Sequence, residues 1–244
     1  MKFLPLIAFI LITSTSFSQT KMRPLNELID KTDSGWKSVK EIASTAKNKI
    51  EILPVDSQKA NDALYHTQIG TNTTMGAVIY KTGGILVDNG WIRILGSGST
   101  KLNRSLPDWN KGKSFKEFGE VPGYLLIADD VLGGFYILNG GALGADVGKV
   151  YYFSPDNLQF EPLDINYPQF LDFCFNNDLE KYYEGSRWEK WKDEVAGLKG
   201  DQVFNFYPFL WTKEGSDINK VSRKIIPIEE QYSLNIDLRK QMGL

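Results

Sequence analysis

Runs of β-branched and aromatic residues, separated by glycine-containing turns, constrain the fold of this chain more than any other feature. The first block extends from Met75 to Ser99 and contains the dipeptide Asn89-Gly90 between two apolar runs. Asn-Gly at such a position is typical of a hairpin with a type I′ turn, because both residues tolerate positive φ. The block therefore predicts a meander of three strands. The predicted strands are residues 76–81, 84–88 and 91–95.

A second block of the same character occupies residues 123–162. Its turns are short, whereas a parallel crossover needs roughly a dozen residues or more, so consecutive strands must be antiparallel. Short strands are also predicted at Ile50–Leu53 and at 203–211. Together these segments indicate an antiparallel meander sheet of about six or seven strands. The strands predicted in the second block are residues 124–128, 134–138, 149–153 and 158–162.

Apolar residues at helical spacing flank the two blocks, which favours an α+β fold with helices packed mainly on one face of the sheet. At the C-terminus two patterns compete. Pro227 followed by two glutamates indicates a helix start, but apolar residues alternate from Tyr232 to Leu238 as in a strand. We predict a helix first and then an extended segment. The other predicted helices are 24–30, 34–46, one beginning at Asp56 or Ser57, 167–175, and 179–198 with a break at Gly185.

The first 18 residues have the pattern of a signal peptide: a basic Lys2, an apolar run from Phe3 to Ile12, and small residues before a cleavage point near Ser18. A membrane anchor is the alternative, but this run is shorter than the roughly 20 apolar residues that a membrane span requires. We therefore predict that residues 19–244 are exported, to the periplasm or the medium. No linker composition divides them, so we predict one globular α+β domain.

Composition excludes several classes of function. The chain has 28 basic and 30 acidic side chains, for a net charge of −2, and a protein that binds nucleic acid usually presents a clustered basic face. One cysteine, Cys174, allows no intramolecular disulfide. A serine or cysteine nucleophile usually needs a histidine base, and His66 is the single histidine, placed at the end of a predicted surface helix. We predict no cofactor, no metal and no span of a membrane, and we leave enzymatic activity open, with a non-catalytic role favoured.

Acidic residues at the end of a predicted strand are the best candidates for a functional surface. Asp129 and Asp130 come just before the turn Gly133-Gly134, and Asn139 ends the next strand. We predict that these five residues form the centre of a binding surface. The alternative, which the sequence favours, is that the aspartates cap the turn by accepting hydrogen bonds from backbone amides. On that alternative, asparagine at both positions should leave stability nearly intact.

The segments MGAVIYKTGGILVDNGWIRILGSGS, GYLLIADDVLGGFYILNGGALG and FNFYPFLWTKEG resemble an uncharacterised bacterial family defined as a domain of unknown function, DUF2625. This resemblance covers nearly all of the chain from Met22 onward and implies no known activity. More remotely, residues 123–175 resemble the core of the SUKH superfamily. That resemblance implies an α+β docking scaffold, used by many bacterial members to bind and neutralise toxins as immunity proteins, most of them in the cytoplasm.

Two functions are therefore expected. The first is an exported module, SUKH-like and of the immunity type, that binds a protein partner without chemistry. The second is an exported hydrolase that uses a pair of carboxylates on a carbohydrate, since such a pair leaves no signature in sequence.

Overall fold

The structure is a computed structural model that describes residues 21–244. The predicted signal peptide at residues 1–18 lies outside this range. Within it, no helix is both long enough and apolar enough to cross a membrane. The helices of the described chain are α1 Leu25–Leu28, α2 Ser34–Ser44, α3 Ser57–Thr67, α4 Thr74–Lys81, α5 Leu106–Asn110, α6 Tyr167–Asn176, α7 Leu179–Tyr182, α8 Trp191–Ala196 and α9 Ile228–Gln241. The strands are β1 Ile50–Ile52, β2 Gly84–Val87, β3 Ile92–Leu95, β4 Tyr124–Asp130, β5 Phe135–Asn139, β6 Val150–Phe153, β7 Phe160–Pro162, β8 Gln202–Tyr207 and β9 Ser222–Pro227.

Strands β1 to β7 form one sheet in which each strand pairs antiparallel with the next along the chain. Strands β8 and β9 form a separate antiparallel hairpin. This arrangement confirms the predicted fold class, an α+β protein with an antiparallel meander. It follows the chain order because short turns leave each new strand beside the one before it.

The hairpin predicted at Asn89-Gly90 is confirmed, but its turn is longer than a type I′ turn. Val87 pairs with Ile92, so four residues connect the two strands. Asp88, Asn89 and Gly90 all have positive φ, at 49°, 61° and 89°. The Trp91 amide then donates to the Asp88 carbonyl oxygen at 3.1 Å, which returns the chain into β3.

The prediction of a strand at residues 76–81 is wrong, because this segment is helix α4. The side chain of Thr73 accepts a hydrogen bond from the Gly76 amide at 3.0 Å and caps the helix. Residues 74–79 are all buried, and the helix contacts α2, α3 and α6. A helix buried on every side has no polar face, so a short apolar run gives no periodicity that separates it from a strand.

The C-terminal third differs from the prediction in two places. The segment 179–198 contains only two short helices, α7 and α8, and the predicted break occurs at Gly185, where φ is 78°. The final segment, predicted to be extended, is helix α9, and strand β9 precedes it. The predicted strand at 203–211 is confirmed as far as Tyr207, since Pro208 cannot donate to a ladder.

Side chains of the sheet alternate between two covered faces. On one face Tyr136 contacts Phe170 of α6, with ring centroids 4.9 Å apart, and α6 contacts α2 and α4. On the other face Phe135 contacts Tyr232 of α9, at 5.2 Å, and α9 packs on the β8–β9 hairpin. On this second face a cleft lies over β1, β2 and β3.

Candidate functional site

A cleft with a volume of about 660 Å³ lies over β1 to β3. Its floor is a row of three residues that are paired on adjacent strands and lie on the same face of the sheet: Glu51, Leu86 and Arg93. Helix α8 and the following segment, as far as Asp201, form its wall. The volume lies within the range of about 300–1,000 Å³ that is common for ligand sites.

Positive charge is in excess among the residues that line this cleft. Four are basic and only two, Glu51 and Asp201, are acidic. Glu51 already forms an ion pair with Lys101 at 2.5 Å. Within the described part of the chain, no ion pair involves the ammonium groups of Lys49 or Lys199. The basic residues are Lys49, Arg93, Lys101 and Lys199.

Arg93, on the floor of the cleft, is held by one of the residues predicted from sequence. Its Nε donates to Oδ1 of Asp129 at 2.6 Å, and the two residues are opposite each other in the β3–β4 pair. Nη2 donates to the Asp130 carbonyl oxygen at 3.2 Å, and Nη1 donates to the Gln202 carbonyl oxygen of β8. Arg93 is 3% exposed and Asp129 is 0% exposed. The guanidinium is therefore fixed between the sheet and the hairpin.

A second arginine shares the same carboxylate. Nη2 of Arg104 lies 2.8 Å from Oδ2 of Asp129, and its Nε and Nη2 donate to the Gly200 carbonyl oxygen at 3.0 and 2.8 Å. Its guanidinium also lies 4.7 Å from the ring centroid of Trp109. Burial lowers the pKa of Arg104, while the charge of Asp129 opposes this effect. One aspartate thus fixes both the floor of the cleft, through Arg93, and its wall, through Gly200.

Asp130 is also fully buried and closes the turn between β4 and β5. Its Oδ1 accepts hydrogen bonds from the amides of Leu132 and Gly134 at 3.0 and 2.9 Å. Its Oδ2 accepts from the hydroxyls of Tyr152 and Tyr183 at 2.6 and 2.9 Å. Burial raises the pKa of Asp130. Neither predicted aspartate therefore presents its carboxylate at the surface, and the geometry of Asp130 is that of the turn-capping alternative.

The structure brings four of the five predicted residues together and places the fifth elsewhere. Gly133, with φ of 83°, and Gly134 form the turn that Asp130 caps. Asn139 lies at the opposite end of β5, where its Nδ2 donates to the Gly144 carbonyl oxygen at 3.0 Å and to Asp146 Oδ1 at 2.9 Å. Asn139 therefore stabilises a different loop.

Arg93 and the lysines of the cleft were not identified from the sequence. One signal could have indicated Arg93: it is the single charged residue in the otherwise apolar run from Trp91 to Leu95, where a buried charge needs a partner. Its partner is 36 residues away, which no local pattern reveals. The β2–β3 turn and the β4–β5 turn lie side by side at the same end of the sheet, because the Val131 amide donates to the Trp91 carbonyl oxygen at 3.1 Å.

The histidine and the cysteine do not form a pair. His66 stacks on Phe118, with ring centroids 3.8 Å apart and planes 2° apart, whereas Cys174 is fully buried in α6. Burial raises the pKa of the Cys174 thiol well above its usual value. In the part of the chain that the structure describes, no group of three or more His, Cys, Asp or Glu residues is placed to hold a metal ion.

Comparisons with known proteins agree with the family resemblance. The model of the family described as "Protein of unknown function DUF2625" matches residues 25–231. An uncharacterized protein of Haemophilus influenzae is 43% identical over 223 residues, which is 91% of this chain and 98% of that protein. The putative uncharacterized protein YbfG of Escherichia coli is 39% identical over 219 residues, 90% of this chain and 98% of that protein. The remote resemblance to the SUKH superfamily stays a prediction, but these matches establish that the chain belongs to the DUF2625 family.

Proposed function

We propose that this protein is an exported, non-catalytic module that binds a protein partner in the cleft over β1 to β3. The observation that carries the proposal is the excess of positive charge in a cleft of about 660 Å³ whose buried arginine is fixed in advance. Complementary charge guides association and selects partners. The partner would therefore present an acidic segment to this cleft.

The construction of the cleft supports binding because little must move when a partner arrives. Asp129 orients Arg93 and Arg104 through buried contacts, and Gly200 of the wall is tied to Arg104. A site that is ordered in advance loses less conformational entropy on binding. Lys49 and Lys199 supply the adjustable charges at the rim.

The position of the cleft supports a polypeptide as the ligand. Strand β1 is an edge strand of the seven-stranded sheet formed by the described residues. Because Lys49 and Glu51 line the cleft, it extends to that edge. An extended segment can enter a cleft along an open sheet edge. The signal-peptide pattern of residues 1–18 and the SUKH resemblance, which implies a docking scaffold, favour an exported partner of the toxin type.

In this cleft the hydrolase hypothesis would depend on Glu51 and Asp201, the two carboxylates that line it. Glu51 is ion-paired with Lys101, and Asp201 accepts a hydrogen bond from Asn103 at 3.2 Å. Glycoside hydrolysis needs one carboxyl group that is kept protonated as a general acid. A carboxylate engaged by an ammonium group is poorly suited to that role, so binding is the better-supported function.

The proposal is tested by capturing partners with residues 19–244 from a periplasmic extract, using three forms of the protein. Ala196→Trp places an indole in the cleft at an exposed position, and Ala145→Trp places one on an exposed loop outside it. We expect the wild type and Ala145→Trp to retain one partner in a stoichiometric amount and Ala196→Trp to lose it. Equal capture by both variants would exclude the cleft as the binding site.

A further inference from the structure

A second cavity, separate from the cleft, lies beside the end of β6. Its volume is about 170 Å³, enough for the end of a side chain or a very small molecule. Residues of the β6–β7 hairpin and of the segment around α7 line it, together with Leu132 and Leu210. The proposed protein-binding cleft makes no use of it.

Aromatic rings form much of the lining. Tyr152 and Tyr182 meet at 6.2 Å between ring centroids with planes 69° apart, and Tyr182 meets Tyr183 at 4.8 Å and 86°. The faces of such rings carry negative electrostatic potential and attract cations.

The charged residues that line the cavity have one sign. Asp156 and Glu161 line it, and among its lining residues in the described chain there is no lysine, arginine or histidine. Asp156 is exposed and Glu161 is half-buried, so both carboxylates lie near the entrance.

A buried carboxyl group lies directly behind the tyrosines. The carboxylate of Asp130 is fully buried and accepts the hydroxyls of Tyr152 and Tyr183, both of which line the cavity. No basic side chain within residues 21–244 forms an ion pair with it. A buried carboxylate that is hydrogen-bonded but has no cationic partner is stabilised by any cation that comes near it.

The hydrogen bonds that the tyrosine hydroxyls already form determine which hydroxyl oxygen can still accept one. Tyr183 Oη donates its single proton to Asp130. It therefore accepts the hydrogen bond from Tyr136 Oη, which lies 2.7 Å away. Tyr152 Oη also donates to Asp130, and its remaining lone pair is free to accept. Tyr152 and Ser186 both line the cavity, and a hydroxyl oxygen with an unused lone pair can accept an N–H donor.

We propose that this cavity binds a group that carries positive charge and N–H donors, either a primary ammonium or a guanidinium. The tyrosine rings receive the charge, the carboxylates of Asp156 and Glu161 pair with it at the entrance, and Tyr152 accepts a hydrogen bond. Such a group occurs at the end of a lysine or arginine side chain and in small free amines.

The test titrates the protein with propylguanidinium chloride at low ionic strength and follows the backbone amide signals of Ser154 and Ser186 by NMR. Propylurea, which has the same shape without the charge, is the control ligand. We expect saturable shifts with propylguanidinium and none with propylurea. Equal shifts with both ligands, or no shift with either, would overturn the proposal.

A pair of variants separates this cavity from general attraction to an acidic protein. Asp156→Asn with Glu161→Gln removes both entrance charges, and Asp193→Asn with Glu189→Gln removes two exposed charges elsewhere. Because each entrance carboxylate can form one exposed ion pair with the ligand, we expect the first variant to bind propylguanidinium about two- to thirtyfold more weakly and the second to bind like the wild type. Equal affinity in the two variants would contradict the site.

The source of the cation is found by comparing propylguanidinium with a blocked Gly-Arg-Gly peptide. Tighter binding of the peptide identifies an arginine side chain of a polypeptide as the ligand. Binding of the small cation alone identifies a free amine or guanidine. Either result supports the cavity as a cation site, and failure of both ligands rejects it.

Discussion

The Nε of Arg93 lies 2.6 Å from Oδ1 of Asp129 across two neighbouring strands, and both side chains are buried. Arg104 approaches the second carboxylate oxygen at 2.8 Å. Two guanidinium groups therefore share one buried negative charge. This carboxylate is the element on which the shape of the cleft depends.

Replacing Asp129 with Asn should destabilise the protein strongly. The substitution keeps the shape of the side chain but leaves two buried guanidinium groups without their counter-charge, which costs about 3–5 kcal/mol. Turn capping alone predicts that asparagine leaves stability nearly intact at this position. The buried ion pairs reverse that prediction for Asp129. Urea unfolding measures the effect. Glu51→Gln, which breaks an exposed pair with Lys101, should cost less than about 1 kcal/mol, and similar losses in both variants would contradict this account.

Asp130 should make the stability of the protein depend on pH above about 3.8. Burial raises the pKa of its carboxyl in the folded state above the ordinary value of 3.8. The folded state therefore holds the proton more tightly, and the stability that this adds is complete below about pH 3.8 and is lost as pH rises through the folded-state pKa. The carboxyl carbon signal of Asp130 should titrate above pH 3.8. In Asp130→Asn this part of the pH dependence should be missing, and a titration at or below 3.8 would show that burial does not dominate.

Gly134→Ala should disturb the network around Asp130. A Cβ at this position would overlap the Tyr152 hydroxyl, which donates to Asp130. Displacing the tyrosine should cost about 1–3 kcal/mol, the usual range for overpacking in a core. Gly197→Ala is a suitable control, since its φ of −86° suits any residue and its Cβ would meet only the Glu194 carbonyl oxygen, at 3.4 Å. Thermal unfolding should separate the two variants, and equal melting temperatures would contradict the predicted overlap.

Cys174 should be unreactive while the protein is folded. The thiol is fully buried and its pKa is raised by burial, so both access and the thiolate fraction are low. Ellman's reagent should modify it only as fast as the protein unfolds. Ser44→Cys adds a thiol on the exposed surface of α2, which should react within the mixing time of the same assay. Rapid modification of the wild-type chain would show that α6 opens in the native state.

Much of the sheet could be predicted because its signals are local. Turn residues such as Gly133-Gly134 and the alternating apolar strands beside them mark both the strands and their antiparallel order. Helix α4 could not be predicted, since its burial on every side removes the polar face that reveals a helix.

The candidate site was predicted only in part, for a different physical reason. Asp129 and Asp130 stand out as paired carboxylates at a strand end, but their roles depend on residues distant in sequence. Arg93 precedes Asp129 by 36 positions and Tyr183 follows Asp130 by 53. No pattern within one segment shows that a carboxylate is buried among such partners, so the sequence left a surface role open beside turn capping.

The most direct test of the proposed function is the dissociation constant of the captured partner, measured for a charge-reversed cleft. Lys49→Glu with Lys199→Glu reverses the two cleft ammonium groups, and Lys37→Glu with Lys40→Glu makes the same change in net charge on exposed positions of α2. Like charges placed against each other cost several kcal/mol, and 1.4 kcal/mol is a factor of ten. We predict that the cleft variant binds the partner at least about tenfold more weakly and that the α2 variant binds it like the wild type. An equal dissociation constant for the two variants would contradict binding in the cleft.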